Sequence, residues 1–138
     1  MKTLCGITVV ALLLAAPAAA VKKWPDRGID LLDACRQAQR LRDGERGSDG
    51  QSYEAGYCLG MIAGMLHMHA QVRAFNELPR PLFCLPEDTT ITVGQARLIV
   101  VCYLETHPEW LHRNPDALVV EALHEAFPCA PAASQPQR

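Results

Sequence analysis

The sequence is poor in aromatic residues and has no large excess of charge of either sign. Phe, Trp and Tyr make up 6% of its 138 residues, and the formal net charge is −2 at pH 7. The clustered basic face that nucleic-acid binding requires is therefore not expected. Hydrophobic residues reach 49%, which is too high for a disordered chain. The length predicts one domain, and the many alanines and leucines favour helices.

Motifs that would indicate an enzyme are also missing. The three serines, Ser48, Ser52 and Ser134, lie outside any G-x-S-x-G elbow. His124-Glu125 begins a zinc-protease pattern, but Pro128 occupies the position of the second histidine. The chain has no C-x-x-C and no glycine-rich phosphate loop. We therefore predict no catalytic residues and no cofactor.

The segment Met65-Leu66-His67-Met68-His69 has the residue types of a copper site, since thioether and imidazole groups bind copper. Two positions that are two residues apart on a helix differ by about 200° around its axis. His67 and His69 therefore cannot share one ion on a regular helix, and we predict no metal site.

Residues 1–20 have the features of a cleavable secretory signal peptide. Lys2 is followed by an apolar stretch over residues 4–16 and by alanines at positions 18–20. The stretch is shorter than the roughly 20 residues that span a bilayer, although an uncleaved anchor is the alternative interpretation. Five of the six cysteines follow the signal, which suits an oxidising compartment. We predict a periplasmic protein with no membrane segment after signal removal.

The remaining chain predicts a single domain over residues 21–129 and a disordered tail over residues 130–138. Apolar residues at helical spacing predict four main helices, over residues 29–42, 52–76, 92–106 and 114–127. Thr92 and Gln95 match a capping box, and Asn114 with Pro115 is typical of a helix start. Polar or proline-containing connectors at residues 43–51 and 78–91 separate the first three helices.

The second predicted helix carries two stripes. Its inner face is predicted to consist of apolar residues spaced by three or four, namely Tyr57, Met61, Met65, Met68, Val72 and Phe75. Gly56, Gly60 and Gly64 form a second stripe, and each glycine costs about 1 kcal/mol relative to alanine in a helix. Three glycines at one spacing predict that another backbone approaches closely, either within the chain or across a dimer.

The helix register predicts two disulfides. Cys35 lies about eight residues before the first connector and Cys58 about seven after it, so the two meet at one height in an antiparallel hairpin. Cys84 precedes the third helix and Cys129 follows the fourth, at neighbouring ends of an antiparallel pair. We therefore predict the pairs Cys35–Cys58 and Cys84–Cys129. The predicted fold class is all-α, a small disulfide-braced bundle of four main helices.

Cys102 is left without a disulfide partner in the apolar centre of the third helix. The simpler interpretation is a buried, inert thiol. The alternative is a reactive or intermolecular thiol, as an odd cysteine in a secreted chain can indicate.

An ordered series of short motifs resembles the Rap/Tai family of type VI secretion immunity proteins. The series includes Tyr57-Cys58-Leu59-Gly60, Phe83-Cys84-Leu85-Pro86, His107-Pro108-Glu109 and Phe127-Pro128-Cys129. The order of these motifs, together with the four cysteine positions, carries the resemblance over about residues 31–129. Cys102 is an addition to the family pattern.

The resemblance implies a small helical periplasmic protein with two disulfides, often a homodimer. Such proteins bind and occlude a cell-wall amidase effector and catalyse nothing. Exposed connectors are natural surfaces for entering an enzyme groove. The predicted partner-binding residues are Glu45, Arg46, Ser48 and Asp49 in the first connector and Arg80, Glu87 and Asp88 in the second.

Two further functions stay open at this point. A small periplasmic acid-stress chaperone of the helical, disulfide-bearing kind would suit the methionine-rich stripe and the acidic balance. A small enzyme or metal carrier would use Cys102 or the histidines.

Overall fold

The computed structural model describes residues 25–75, 81–86 and 90–129. Within these ranges the chain forms α1 (Gly28–Arg42), α2 (Asp49–Phe75), α3 (Val93–Thr106), a 3-10 turn (Pro108–Trp110) and α4 (Pro115–Ala126). The described ranges contain no strand. The predicted all-α bundle of four main helices is confirmed. The predicted signal peptide and tail lie outside the described residues.

Two helix starts form where the sequence places capping residues. Thr92 Oγ1 accepts a hydrogen bond from the Gln95 backbone N–H at 3.2 Å, and Gln95 Oε1 accepts one from the Thr92 N–H at 2.9 Å. Asn114 Oδ1 accepts from the backbone N–H groups of Asp116 and Ala117 at 2.9 and 3.3 Å. These bonds satisfy donors that a helix start leaves open, so α3 and α4 begin where predicted.

The second helix begins one turn earlier than predicted, at Asp49 instead of residue 52. Ser48 Oγ accepts a hydrogen bond from the Gln51 N–H at 3.4 Å, and the Ser48 N–H donates to Gln51 Oε1 at 2.8 Å. This is a reciprocal capping box, which the polar and glycine-rich composition of the connector obscures.

The core draws on all four helices and on the second connector. Helices α1 and α2 pack along each other as a hairpin, and α3 packs against α4. The largest fully buried side chains include Leu31, Ile62, Leu104, Leu118 and Phe83. Phe83 belongs to the second connector, so this connector is part of the hydrophobic core.

The predicted inner face of α2 is correct only in part, since Tyr57, Met61 and Met65 are partly buried and pack against the core. The residues that α2 buries are Ala55, Cys58, Ile62 and His69. Met68 and Phe75, both predicted to face inward, are 65% and 69% exposed. The helix has apolar residues on several sides, and the face it buries most deeply, with Cys58 and Ile62, overlaps only part of the longest apolar stripe.

Both predicted disulfides are confirmed. Cys35 and Cys58 join α1 to α2 with a Cα–Cα distance of 5.1 Å. Cys84 and Cys129 join the second connector to the segment after α4 with a Cα–Cα distance of 4.8 Å. Each bond ties together chain segments that are far apart in sequence.

The favoured interpretation of Cys102 as a buried thiol is wrong, because its side chain is exposed. Helix α3 buries Ala96, Val100, Tyr103 and Leu104, which lie on one face at spacings of three and four. Cys102 falls on the opposite side of the helix.

Within the described ranges, no helix combines the length and the apolar character that crossing a membrane would need.

Candidate binding surfaces

The first connector forms an exposed corner between α1 and α2. Gly44 adopts a positive φ of 94°, a backbone conformation that favours glycine, and the Glu45 N–H donates to the Arg40 carbonyl at 3.1 Å. The predicted partner-binding residues Glu45 and Arg46 are both exposed here. Glu45 and Arg46 therefore offer one acidic and one basic side chain to a partner at this corner.

Ser48 and Asp49, the other two predicted residues of this connector, are exposed but belong to the start of α2. Ser48 caps the helix through Gln51. Asp49 lies in the first turn, where a carboxylate interacts favourably with the helix dipole. Both residues therefore stabilise the start of α2, independently of any partner that binds the corner.

The second connector is anchored to α4 and to the segment after it. Cys84 forms the disulfide with Cys129, and its N–H donates to the Phe127 carbonyl at 2.9 Å. His124 Nδ1 lies 2.8 Å from the Leu82 carbonyl oxygen, which fixes the ring nitrogen as the donor. The predicted partner-binding residues Arg80, Glu87 and Asp88 lie outside the described residues.

A cavity of about 410 Å³ lies where α2, the second connector and α4 meet. We call it the His69 pocket, and it is lined by Met65, Met68, His69, Val72, Arg73, Pro81, Leu82, Phe83 and Val120. Its volume falls within the range of small-ligand sites. Most of the lining is apolar, and Arg73 is the lining residue that carries charge.

The imidazole of His69 forms part of the pocket wall. It is stacked on the Phe83 ring with a centroid distance of 3.8 Å, and only 7% of the residue is exposed. Burial lowers the pKa of His69, and the nearby positive charge of Arg73 lowers it further. The ring is therefore neutral at pH 7. Its Nε2 atom has no hydrogen-bond partner among the described residues.

The glycine stripe of α2 lies open. A Cβ atom built on Gly56, Gly60 or Gly64 meets nothing within 4 Å in the described part of the chain. The three glycines line a shallow groove with Tyr57, Met61 and Asp116. The described residues of the chain therefore do not supply the close backbone contact that the spacing predicted.

The sequence interpretation missed the His69 pocket, although a signal for it exists. Once Cys58 is placed inward by its disulfide, steps of four, three and four residues reach Ile62, Met65 and His69 on the same face. His67 is exposed and lies on another side of the helix. His69 is thus a pocket residue, a role that the sequence analysis did not consider.

The described fold defines a class of protein. It is a small helical bundle braced by two disulfides, with an exposed charged corner and an apolar pocket next to an anchored connector. Three or more metal-ligating side chains do not come together anywhere in the described ranges.

The family model described as Rap1a immunity proteins matches residues 27–129, which is most of the chain, and the chain belongs to that family. The resemblance to the Rap/Tai family found in the sequence is thereby confirmed. No curated protein and no solved structure matches the chain significantly.

Proposed function

We propose that this chain is a periplasmic immunity protein that binds a cell-wall amidase effector of type VI secretion and occludes its active site. The observation that carries the proposal is the match to the Rap1a immunity proteins over residues 27–129. Its action is binding, with no chemical step on the effector or on the cell wall.

The architecture supports this role. One disulfide joins α1 to α2 inside the bundle and the other holds the second connector, and a rigid binding surface loses little conformational entropy on association. Glu45 and Arg46 at the first corner are available to pair with charges on the effector. Arg80, Glu87 and Asp88 of the second connector remain part of the proposed surface.

The test is protection against a toxin in the periplasm. Each candidate amidase effector of the source strain would be exported to the periplasm of a test cell, with or without the full chain. We expect survival only with the cognate pair, and inhibition of peptidoglycan hydrolysis by the purified, oxidised chain. Toxicity unchanged by the chain for every such amidase would contradict the proposal.

A matched control tests the proposed location. The chain without residues 1–20 should stay in the cytoplasm and give no protection, although after oxidation in vitro it should inhibit the same amidase. Protection by the leaderless chain inside cells would show that export is not required.

Surface variants test the first corner. Exchanging both charges, Glu45→Lys with Arg46→Glu, should weaken binding to the amidase if this corner enters the groove. Asp33→Lys, an exposed change on α1, is the control. Equal affinity of the exchanged and control variants would leave the second connector as the proposed contact.

Light scattering of the free chain tests the homodimer that the family implies.

A further inference from the structure

Two histidines from different helices contact one short piece of the second connector. His69 of α2 stacks on the Phe83 ring at a centroid distance of 3.8 Å. His124 of α4 donates from Nδ1 to the Leu82 carbonyl oxygen at 2.8 Å. We call residues 81–84 the clasped segment, because side chains of both helices hold it.

The two histidines respond differently to a proton. His124 is exposed, and an imidazolium still donates from Nδ1, so protonation leaves its bond to Leu82 in place. His69 is 7% exposed, and its Nε2 atom is buried with no hydrogen-bond partner among the described residues. In an imidazolium both ring nitrogens carry a proton, so a protonated His69 would bury a charge together with an unpaired donor. Burial of such a group is unfavourable.

The charged groups around His69 do not offset that cost. On its own helix, Arg73 is positive and adds to the lowering of the pKa of His69 that burial causes. The clasped segment carries no charged side chain. On α4, Glu121 and Glu125 line a neighbouring cavity with His124 and are not among the described lining residues of the His69 pocket. The described lining therefore offers a protonated His69 no carboxylate.

The clasped segment is the part of this contact that can move. His69 belongs to the continuous helix α2, which a disulfide joins to α1. The clasped segment has an irregular backbone, and its Leu82 is 48% exposed. Such segments open at lower free energy than packed helices do. Because the Phe83 ring lies against the imidazole, displacement of the segment gives His69 access to water.

We propose that the contact between His69 and Phe83 is an acid-sensitive latch: protonation of His69 displaces the clasped segment from α2 and opens the His69 pocket. The Cys84–Cys129 disulfide keeps the displaced segment attached to the end of α4. The closed state holds a neutral imidazole, and the open state holds an imidazolium in water. The device acts in the free chain and goes beyond the proposed immunity function.

The test is an NMR titration of the purified, oxidised full chain from about pH 7.5 to 4, a range that includes the ordinary pKa of histidine. We expect His69 to titrate below about 6.5, each pH unit below this value corresponding to a tenfold preference for the closed state at neutral pH. The NOEs between the His69 and Phe83 rings should disappear over the same pH interval. Those between Tyr103 and Trp110, whose ring centroids lie 5.7 Å apart, should persist.

Two variants assign the latch to one histidine. His69→Phe keeps an aromatic ring against Phe83 but cannot be protonated, so its clasped segment should stay closed at pH 4, as shown by unchanged Phe83 and Cys84 signals. His124→Gln removes the other titrating group and keeps a donor for the Leu82 carbonyl. It should open over the same pH interval as the unmodified protein.

Four outcomes would overturn the proposal. The first is NOEs between His69 and Phe83 that persist after His69 has titrated, which would mean that the ring is protonated in place. The second is a pKa of His69 at or above about 6.5, its ordinary value. The third is simultaneous loss of the NOEs between Tyr103 and Trp110, which would mean global unfolding. The fourth is opening of His69→Phe at the same pH as the unmodified protein. Because no effector is present, each of these is distinguishable from failure of the immunity function.

Discussion

Burial of the His69 imidazole couples its protonation to folding. Desolvation lowers the pKa of His69 in the folded chain, with a further decrease from Arg73. The unfolded chain therefore binds this proton at a pH at which the folded chain does not. The free energy of unfolding should fall as the pH drops below about 6.5, the ordinary pKa of histidine, and this loss should level off below the folded-state pKa. Urea unfolding measured across this range tests the prediction.

Two phenylalanine variants isolate the effect. His69→Phe removes the titrating group and should flatten the pH dependence between about pH 7.5 and 5. His67→Phe, on an exposed side of the same helix, should retain the dependence of the unmodified protein. Identical pH slopes for the unmodified protein and His69→Phe would contradict the prediction.

Two arginines join α1 to α3 in different environments. Arg97 is 3% exposed and donates to the Cys35 carbonyl oxygen at 3.4 Å and to Gln39 Oε1. Arg36 donates to Glu105 Oε1 at 2.9 Å, and both of those side chains are nearly half exposed. Arg97→Ala should lower the free energy of unfolding by about 1.5–3 kcal/mol, because buried bonds to a charged group are lost.

Arg36→Ala provides the comparison for Arg97. Its exposed ion pair should contribute no more than about 1 kcal/mol, because water and salt screen it. Denaturant unfolding of both variants gives the two values under one condition. An equal loss for the two would mean that burial of Arg97 adds nothing to its bonds.

At the scale of the elements, local signals were predictable, whereas the orientation of α2 was predictable only in part. The caps at Thr92 and Asn114 depend on bonds within three residues, so the sequence alone is sufficient to place them. Helix α2 is apolar on several sides, and its longest stripe packs against the core at Tyr57 and Met61 but is exposed at Phe75. The buried face with Cys58 and Ile62 depends on long-range contacts, among them the bond to Cys35.

The same distinction applies to the candidate sites. The exposed corner at Glu45 and Arg46 was predictable, because charged residues beside Gly44 and Gly47 favour a connector. The His69 pocket requires α2, Phe83 and Val120, which are distant in sequence. No local pattern specifies that meeting, and the disulfide from Cys84 to Cys129 holds the connector across 45 residues of sequence.

Glycines in two helices should respond to alanine in opposite ways. Gly60 of α2 has open space where a Cβ would lie, so Gly60→Ala should raise the free energy of unfolding by about 0.5–1 kcal/mol through helix propensity. At Gly28 of α1, a Cβ would collide with Leu118 Cδ1 and lie 3.2 Å from Leu111 Cα. Gly28→Ala should therefore destabilise the protein.

Thermal and denaturant unfolding of the two glycine variants are the measurements. Light scattering beside them shows whether Gly60 contacts a second copy. A loss of stability in Gly60→Ala, accompanied by a loss of dimer, would contradict the assignment of this face to solvent.

For the molecule as a whole, the two disulfides should stabilise different regions. The Cys35–Cys58 bond spans 23 residues inside the bundle, and the Cys84–Cys129 bond spans 45 and holds the second connector. Loop entropy alone favours the longer bond by about 0.6 kcal/mol. Packing instead favours the shorter bond as the more stabilising one, because Cys35 and Cys58 are fully buried and form part of the core.

Native-state hydrogen exchange of two double variants tests this division. In Cys84→Ala/Cys129→Ala, the Cys84 amide, which donates to the Phe127 carbonyl, should lose protection while amides in α1 and α2 keep most of theirs. The His69 pocket should loosen with it, because Phe83 precedes Cys84 and stacks on His69.

In Cys35→Ala/Cys58→Ala, protection should fall in every helix, since removal of a native disulfide typically costs about 2–5 kcal/mol and this one lies in the shared core. An equal loss of protection in α1, α2 and the connector of the first variant would instead mean that the bundle and the connector unfold as one unit. The pocket would then depend on global stability and not on its own disulfide.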